Sequence, residues 1–240
     1  GAEELNEQGN DGFTLSFSKD VIRNKYKNPF SEYTLHATAE PIYTAATYDV
    51  SYATNLAAVK KNYELLDNFQ AAIKGYTDGV AEAIEYLKTN KAEKAGKAGD
   101  LIPSDMQDYL NMAGEEVDEA TTKLGVNSAV LTKAITAAKN NLGKLSNVAI
   151  AKDGTLAKDN AYLVAYEKSA TAAITAVNAL VKDTKDAVDA LDKKVQAWMT
   201  PENVDAKENW TEEKAALNKI VTANFGTTDG MGKVLNTWTT

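Results

Sequence analysis

Residues 155–199, TLAKDNAYLVAYEKSATAAITAVNALVKDTKDAVDALDKKVQAWM, decide the fold. The stretch holds no proline and no glycine, and Gly154 lies just before it. Leu163 opens an apolar series that continues at Ala170, Ile174, Val177, Val181, Val188, Leu191, Val195 and Trp198. With Thr184 filling one slot, the steps from Ala170 alternate four and three, which is a heptad seam. A helix over these residues would be about 65 Å long at ~1.5 Å rise per residue. One apolar stripe on so long a helix requires partner helices along its length.

A partner with the same signature lies upstream. From Thr47 to Thr89, Tyr52, Val59, Leu66, Ile73, Val80 and Leu87 recur every seven residues. Leu56, Tyr63, Phe69, Tyr76 and Ile84 widen that stripe. Gly75 and Gly79 weaken the helix locally, by about 1 kcal/mol each against Ala, and mark a kink or a close helix contact. Thr89 to Gly99, with Lys91, Lys94 and Lys97, reads as a flexible basic loop.

Between the two long patterns, Pro103 and Ser104 signal a helix start, with Ser104 as cap and Asp105 and Asp108 in the first turn. The seam Met106, Leu110, Ala113, Val117, Ala120, Leu124 follows, is interrupted at Gly125, and resumes at Leu131, Ile135, Ala138, Leu142 and Leu145. Asn127 or Ser128 can cap the second part. Gly125 either reverses the chain or kinks one interrupted helix. The lengths of the three segments, about 45 residues each, favour the kink and an up-down-up arrangement. Asp153-Gly154 is a turn, Thr155 can cap the organising helix, and Thr200-Pro201 stops it. One more helix, from about Trp210 to Asn224, starts near Thr211, with Glu212 and Glu213 in its first turn. Phe225 to Thr240 is rich in Gly and Thr and suits a short strand or a segment that packs Trp238 on the bundle.

At the other end, Phe13, Leu15 and Phe17 alternate with polar residues through Ser18, the clearest strand signal in the chain. Tyr33 to Ala39 alternates again before Pro41, as a second strand, a short helix or coil. The expected fold is therefore mostly α. It is an elongated antiparallel bundle of about three long helices and a short C-terminal helix, with a small β-hairpin or extended arm at the N-terminus. The expected division is 1–12 as a flexible tether, 13–46 as a strand-containing segment on the bundle, 47–200 as the long-helix bundle, and 201–240 as the C-terminal helix and tail.

The composition narrows the function. The 240 residues carry a net charge of −8 and a single arginine, Arg23, so nucleic acid is not an expected partner. There is no cysteine, which excludes disulfides, thiolate catalysis and cysteine metal sites. No run of about 18 apolar residues is present to span a membrane. The chain opens Gly1-Ala2 with an acidic polar stretch behind it, the pattern of a short tether after a removed leader. Export to the cell surface or periplasm follows as an expectation, with an upstream lipid anchor as the candidate attachment.

Each candidate for chemistry is thin. His36, the only histidine, has Glu32 and Glu40 four residues to either side, a helical metal spacing, but Thr34, Thr38 and Pro41 oppose a helix there. Residues 226–233, GTTDGMGK, approach a phosphate loop but are one residue too long, and Val234 stands where Ser or Thr is required. Glu115, Glu116, Asp118 and Glu119 lie beside a seam, where a solvated face is expected. Asn209-Trp210-Thr211 matches a glycosylation acceptor. We therefore expect no enzyme, no cofactor and no metal. Eight of the eleven tyrosines lie between Tyr26 and Tyr86. Tyrosine suits surfaces that are half apolar and half wet, so Tyr33, Tyr43, Tyr48 and Tyr52 form a candidate binding surface. The expected role is a non-enzymatic structural, adhesive or protein-interaction module of a bacterial envelope, with a protein or cell-surface glycan as partner. The alternatives are a glycan or small-molecule binder with a Tyr-lined cleft, and a fragment of a larger self-assembling envelope protein.

Overall fold

The structure is a computed structural model that describes residues 4–8, 14–18, 43–44, 54–203, 206–208 and 210–239. Side chains are described from residue 54 onward, except at 207, 238 and 239. Most of the described chain is helical. Residues 54–61 are helical and lead through Asn62 into α1, Tyr63–Thr89. Four more helices follow, α2 (Ser104–Leu124), α3 (Ala129–Ser146), α4 (Ala161–Trp198) and α5 (Thr211–Asn224), and α6 (Gly230–Thr239) comes last.

Most seam positions are buried as their spacing predicts; Ile174 and Trp198 are half-buried, as are Met106, Leu110, Ala120, Ile135 and Leu142, and Tyr52 lies outside the described residues. Val59, Leu66, Ile73, Val80 and Leu87 are all in the interior. So are Leu163, Ala170, Val177, Val181, Thr184, Val188, Leu191 and Val195 of α4. The α1 and α4 stripes face each other with opposite chain directions. Lys60 meets Asp192 near one end, and Lys88 meets Glu167 near the other. Between them the Lys185 ammonium donates to Asp67 at 2.6 Å, and the Gln70 side-chain amide donates to Asn178 Oδ1 at 2.7 Å.

Gly125 is a turn, not a kink. Its φ of 70° is left-handed, and its N–H donates to the carbonyls of Thr121 and Thr122, so the helix closes there. Ser128 caps α3, its hydroxyl accepting the Leu131 N–H at 3.2 Å. The chain then runs back, so that Ser146 at the end of α3 lies against Gly99, just before α2 begins. The expected third long helix is therefore two shorter antiparallel ones. α2 packs on α1, α3 packs on α4, and Lys139 bridges to Asp118 between them at 2.7 Å. The two glycines of α1 mark a close contact: the Tyr109 ring occupies the space a Cβ on Gly79 would need. Alongside the C-terminal half of α4 lies α5, with Lys194 paired to Glu213, and α6 packs on α5 and on the end of α2.

Several boundaries differ from expectation. The organising helix begins at Ala161, and its cap is Asn160, whose side-chain oxygen accepts the Tyr162 and Leu163 N–H groups. Thr155 does not cap it, because Leu156 is buried and its N–H is held by the Leu87 carbonyl at 2.8 Å. Ser104 is the first residue of α2 and not its cap; Pro103 takes that place without a side-chain bond. The basic loop is tied down. The Ala92 N–H donates to the Gly154 carbonyl at 3.0 Å, the Asp153 N–H donates to the Ala92 carbonyl at 2.9 Å, and β4 (Gly96–Lys97) pairs with β5 (Ala149–Ile150). The glycine- and threonine-rich tail forms helix α6, not a strand.

The N-terminal strand lies where it is expected. β2 (Thr14–Ser18) is antiparallel to β1 (Glu4–Gln8), which falls in the stretch expected as tether, and not to residues 33–39. Those residues lie outside the described ones. β3 (Tyr43–Thr44) pairs with β6 (Lys207–Glu208), bringing the N-terminal segment to the α4–α5 connection. Among the described residues, no helix is long and apolar enough to cross a membrane.

Candidate functional site

Of the tyrosines expected to form a surface, Tyr33, Tyr48 and Tyr52 lie outside the described residues, as does His36 with Glu32 and Glu40. Tyr43 lies in β3, opposite Glu208. Asn209 is also outside; its neighbour Trp210 is buried, has a left-handed φ of 45°, and meets Trp198 edge to face with ring centres 5.0 Å apart. No group of three or more acidic residues or histidines among the described residues converges as a metal would require.

The glycine-rich stretch 226–233 has a structural role. It joins α5 to α6 and lies against the α2–α3 turn. The Gly226 N–H donates to the Gly125 carbonyl at 2.8 Å, the Asn127 N–H donates to the Asn224 carbonyl at 2.7 Å, and Val126 and Phe225 form a β-bridge between them. Val234 faces neither a strand nor a phosphate cradle; it packs at the edge of the core.

The interior contains little polar chemistry. Thr77 and Thr184 are buried and return their hydroxyls to the Ile73 and Leu180 carbonyls of their own helices. Tyr166 is the exception: it is 3% exposed and its hydroxyl has no hydrogen-bond partner among the described residues. Burial, then the neighbouring Tyr76, push its ionisation well above the ordinary tyrosine range. Tyr63 is shifted the same way by burial and by the Asp189 carboxylate to which its hydroxyl donates at 3.4 Å.

The outward faces of α2 and α3 differ most sharply in charge. On α2, Asp105, Asp108, Met112, Glu115 and Glu119 follow steps of three and four, and Glu116 lies four beyond Met112, so they share one face turned away from the buried Ala113, Val117 and Leu124. Met112 is 58% exposed; Tyr109 is half-exposed, its ring lying against Gly79 of α1 and its hydroxyl donating to the Gly75 carbonyl at 3.4 Å. On α3 there is no acidic residue at all between Ala129 and Ser146, and Lys133, Lys139 and Lys144 are exposed. Its outer residues are small: Ala129, Thr132, Thr136, Ala137, Asn140 and Gly143 line two shallow depressions between and beside the lysines. Glu119 is held by Lys123, which depresses its carboxyl, and Asp118 by Lys139. Among the described residues, Asp105, Asp108, Glu115, Glu116, Lys133 and Lys144 take part in no ion pair.

The acidic half of this arrangement was visible in the sequence as a solvated run, which it is. The basic half was overlooked. Its signal is the missing acid in an 18-residue amphipathic helix. No family model, curated protein or solved structure matches this chain.

Proposed function

We propose that the chain is a non-enzymatic structural or adhesive module that acts through protein contacts, outside the cytoplasm at the cell surface or in the periplasm. The observation that carries this reading is the distribution of reactive groups. Among the described residues, and apart from Tyr166, the buried polar side chains Thr77, Ser128 and Thr184 serve their own helices, while lysines and carboxylates stand on the outer faces, some of them paired with each other. In this reading α1 and α4 are the spine of an elongated antiparallel bundle. The 38 residues of α4 correspond to about 57 Å. α2 and α3 flank one half of that spine, α5 and α6 the other. The acidic polar stretch behind Gly1-Ala2 and the excess of lysine over arginine support the extracytoplasmic setting.

Small-angle scattering on the full chain tests the shape, and fractionation of the source cells tests the location. A maximum dimension of roughly 60 Å or more, with the chain in the surface or periplasmic fraction, is expected. A near-spherical particle, or recovery with the cytoplasm alone, would overturn the reading.

A further inference from the structure

The interior of the bundle is two apolar cores, not one. The larger surrounds Phe69, Leu124 and Leu191 and takes in Leu217 of α5 and Leu235 of α6. The smaller surrounds Leu87, Ile150 and Leu163. α1, α2, α3 and α4 all run through both, and on each helix the change of core falls at a small buried side chain. These are Thr77, Ala113, Ala138 and Ala173, and none of them belongs to either core. On α1, Ile73 before Thr77 is in the larger core and Val80 after it in the smaller; on α4, Ala170 and Val177 stand to either side of Ala173 in the same way. Among the described residues, the Tyr76 ring is the apolar side chain that packs against both.

We propose that this layer divides the bundle into two cooperative units, and that the end with the smaller core opens while the larger core stays folded. Three methyl groups, and a threonine whose hydroxyl returns to the Ile73 carbonyl of its own helix, bury little area between the halves, so little free energy couples them. The smaller end consists of two hairpins, residues 77–113 and 138–173, each entering and leaving through the layer. Backbone bonds lace their tips. The Ala98 N–H donates to the Val148 carbonyl and the Leu156 N–H to the Leu87 carbonyl, both at 2.8 Å. Each hairpin buries its apolar face on the other, so the two open together. The smaller core also contains the unpartnered Tyr166 hydroxyl, which weakens this end. The larger core has α5, α6 and the Gly125–Gly226 bond to close it. Opening uncovers the apolar faces around Leu87 and Leu163 and leaves the rest of the bundle intact. This division is a property of the fold and does not rest on the adhesive reading.

Amide hydrogen exchange of the full chain in increasing, sub-denaturing urea, read by mass spectrometry, is the test. In wild type, residues 80–87 of α1 and 163–170 of α4 should share one urea dependence. Residues 188–195, at the other end of the same α4, should exchange only through a larger opening at higher urea. A single dependence for both ends of α4, or different ones for 80–87 and 163–170, would overturn the proposal. Two buried leucines, one in each core, then set the order of events. Leu191 keeps its contacts when only the smaller end opens. Leu191→Ala should therefore speed exchange at 188–195 by about 30-fold or more and leave 163–170 unchanged. Leu163→Ala should speed both ends, because the larger core opens after the smaller. Both ends speeded by Leu191→Ala would mean one cooperative unit, and a Leu163→Ala effect confined to its own end would mean that the larger core opens without the smaller. Either result overturns the proposal. If Leu191→Ala does not fold, the wild-type profile decides alone.

Discussion

The Gly226 N–H donates to the Gly125 carbonyl at 2.8 Å, across a hundred residues of sequence. Two turns that look unrelated in the chain are thereby one structural unit. The α2–α3 reversal is held against the α5–α6 connection, which ties α6 to the turn after α2.

Close backbone approach makes this clasp sensitive to single methyl groups. A Cβ on Gly230, whose φ is 58°, would lie 2.5 Å from the Leu124 carbonyl oxygen, and a Cβ on Gly232 would overlap the Gly226 carbonyl. Both obstacles are backbone and cannot rotate away. Gly232→Ala and Gly230→Ala should each destabilise by about 3 kcal/mol or more, at the upper end of single substitutions. Gly143→Ala is the control: nothing stands within 4 Å of its Cβ, and it lies inside α3, so about 0.5–1 kcal/mol of added stability is expected. Urea midpoints of the three variants check this. A Gly232→Ala protein as stable as wild type would mean the turns do not meet.

The heptads were legible because burial repeats them: a seam every seven residues has one physical outcome, an interior face, and Val59 to Leu87 and Leu163 to Val195 take it. Gly125 was not legible. A glycine inside a pattern permits a kink or a reversal equally, and equal segment lengths carry no energy. What selects the reversal is Gly226 and the packing of Gly230 on Leu124, both remote in sequence. The tail was missed for the same reason. Its glycines lower helix propensity, and only the contact with α2 explains why they are there. Thr155 looked like a cap, but Asn160 is the residue whose oxygen can reach two free N–H groups. On the outer surface of α2 and α3, the acidic stripe could be read from α2 alone, whereas its relation to α3 depends on the turn between them.

Tyr166 buries a hydroxyl without a partner, and a buried unsatisfied polar group costs about 1–3 kcal/mol. Tyr166→Phe removes that hydroxyl and keeps the ring. The variant should equal or exceed wild type in stability, by up to about 1 kcal/mol. Tyr166→Ala should lose about 3–5 kcal/mol, because the ring fills the interior between α4 and α1. Thermal melts decide it. A Phe variant clearly less stable than wild type would show that the hydroxyl has a bonding role.

Thr184 occupies a seam position where the neighbouring heptads carry Val or Leu, and it is fully buried. Its hydroxyl bonds the Leu180 carbonyl at 2.7 Å, within its own helix, so no distant group depends on it. Thr184→Val keeps the branched shape and removes a polar atom from the core. The substitution should be neutral to stabilising by about 1 kcal/mol. Loss of more than that in chemical denaturation would show that the hydroxyl sets the register of α1 against α4.

Alkaline pH should loosen the protein through its tyrosines. Tyr63, Tyr76 and Tyr166 all ionise less readily in the fold than in water, mainly because they are buried. An unfolded tyrosine loses its proton near pH 10. Above that pH the unfolded chain binds fewer protons than the native one, so stability must fall as pH rises. Below it the neutral phenols are the same in both states and contribute no slope. Denaturation midpoints should therefore be level from neutral pH to about 9 in this respect and decline beyond about 10. Replacing Tyr166 by Phe takes the most buried of the three out of the balance and should flatten the decline. An unchanged slope in Tyr166→Phe would mean that its phenol already ionises freely in the native state, and hence that it is not enclosed between α1 and α4.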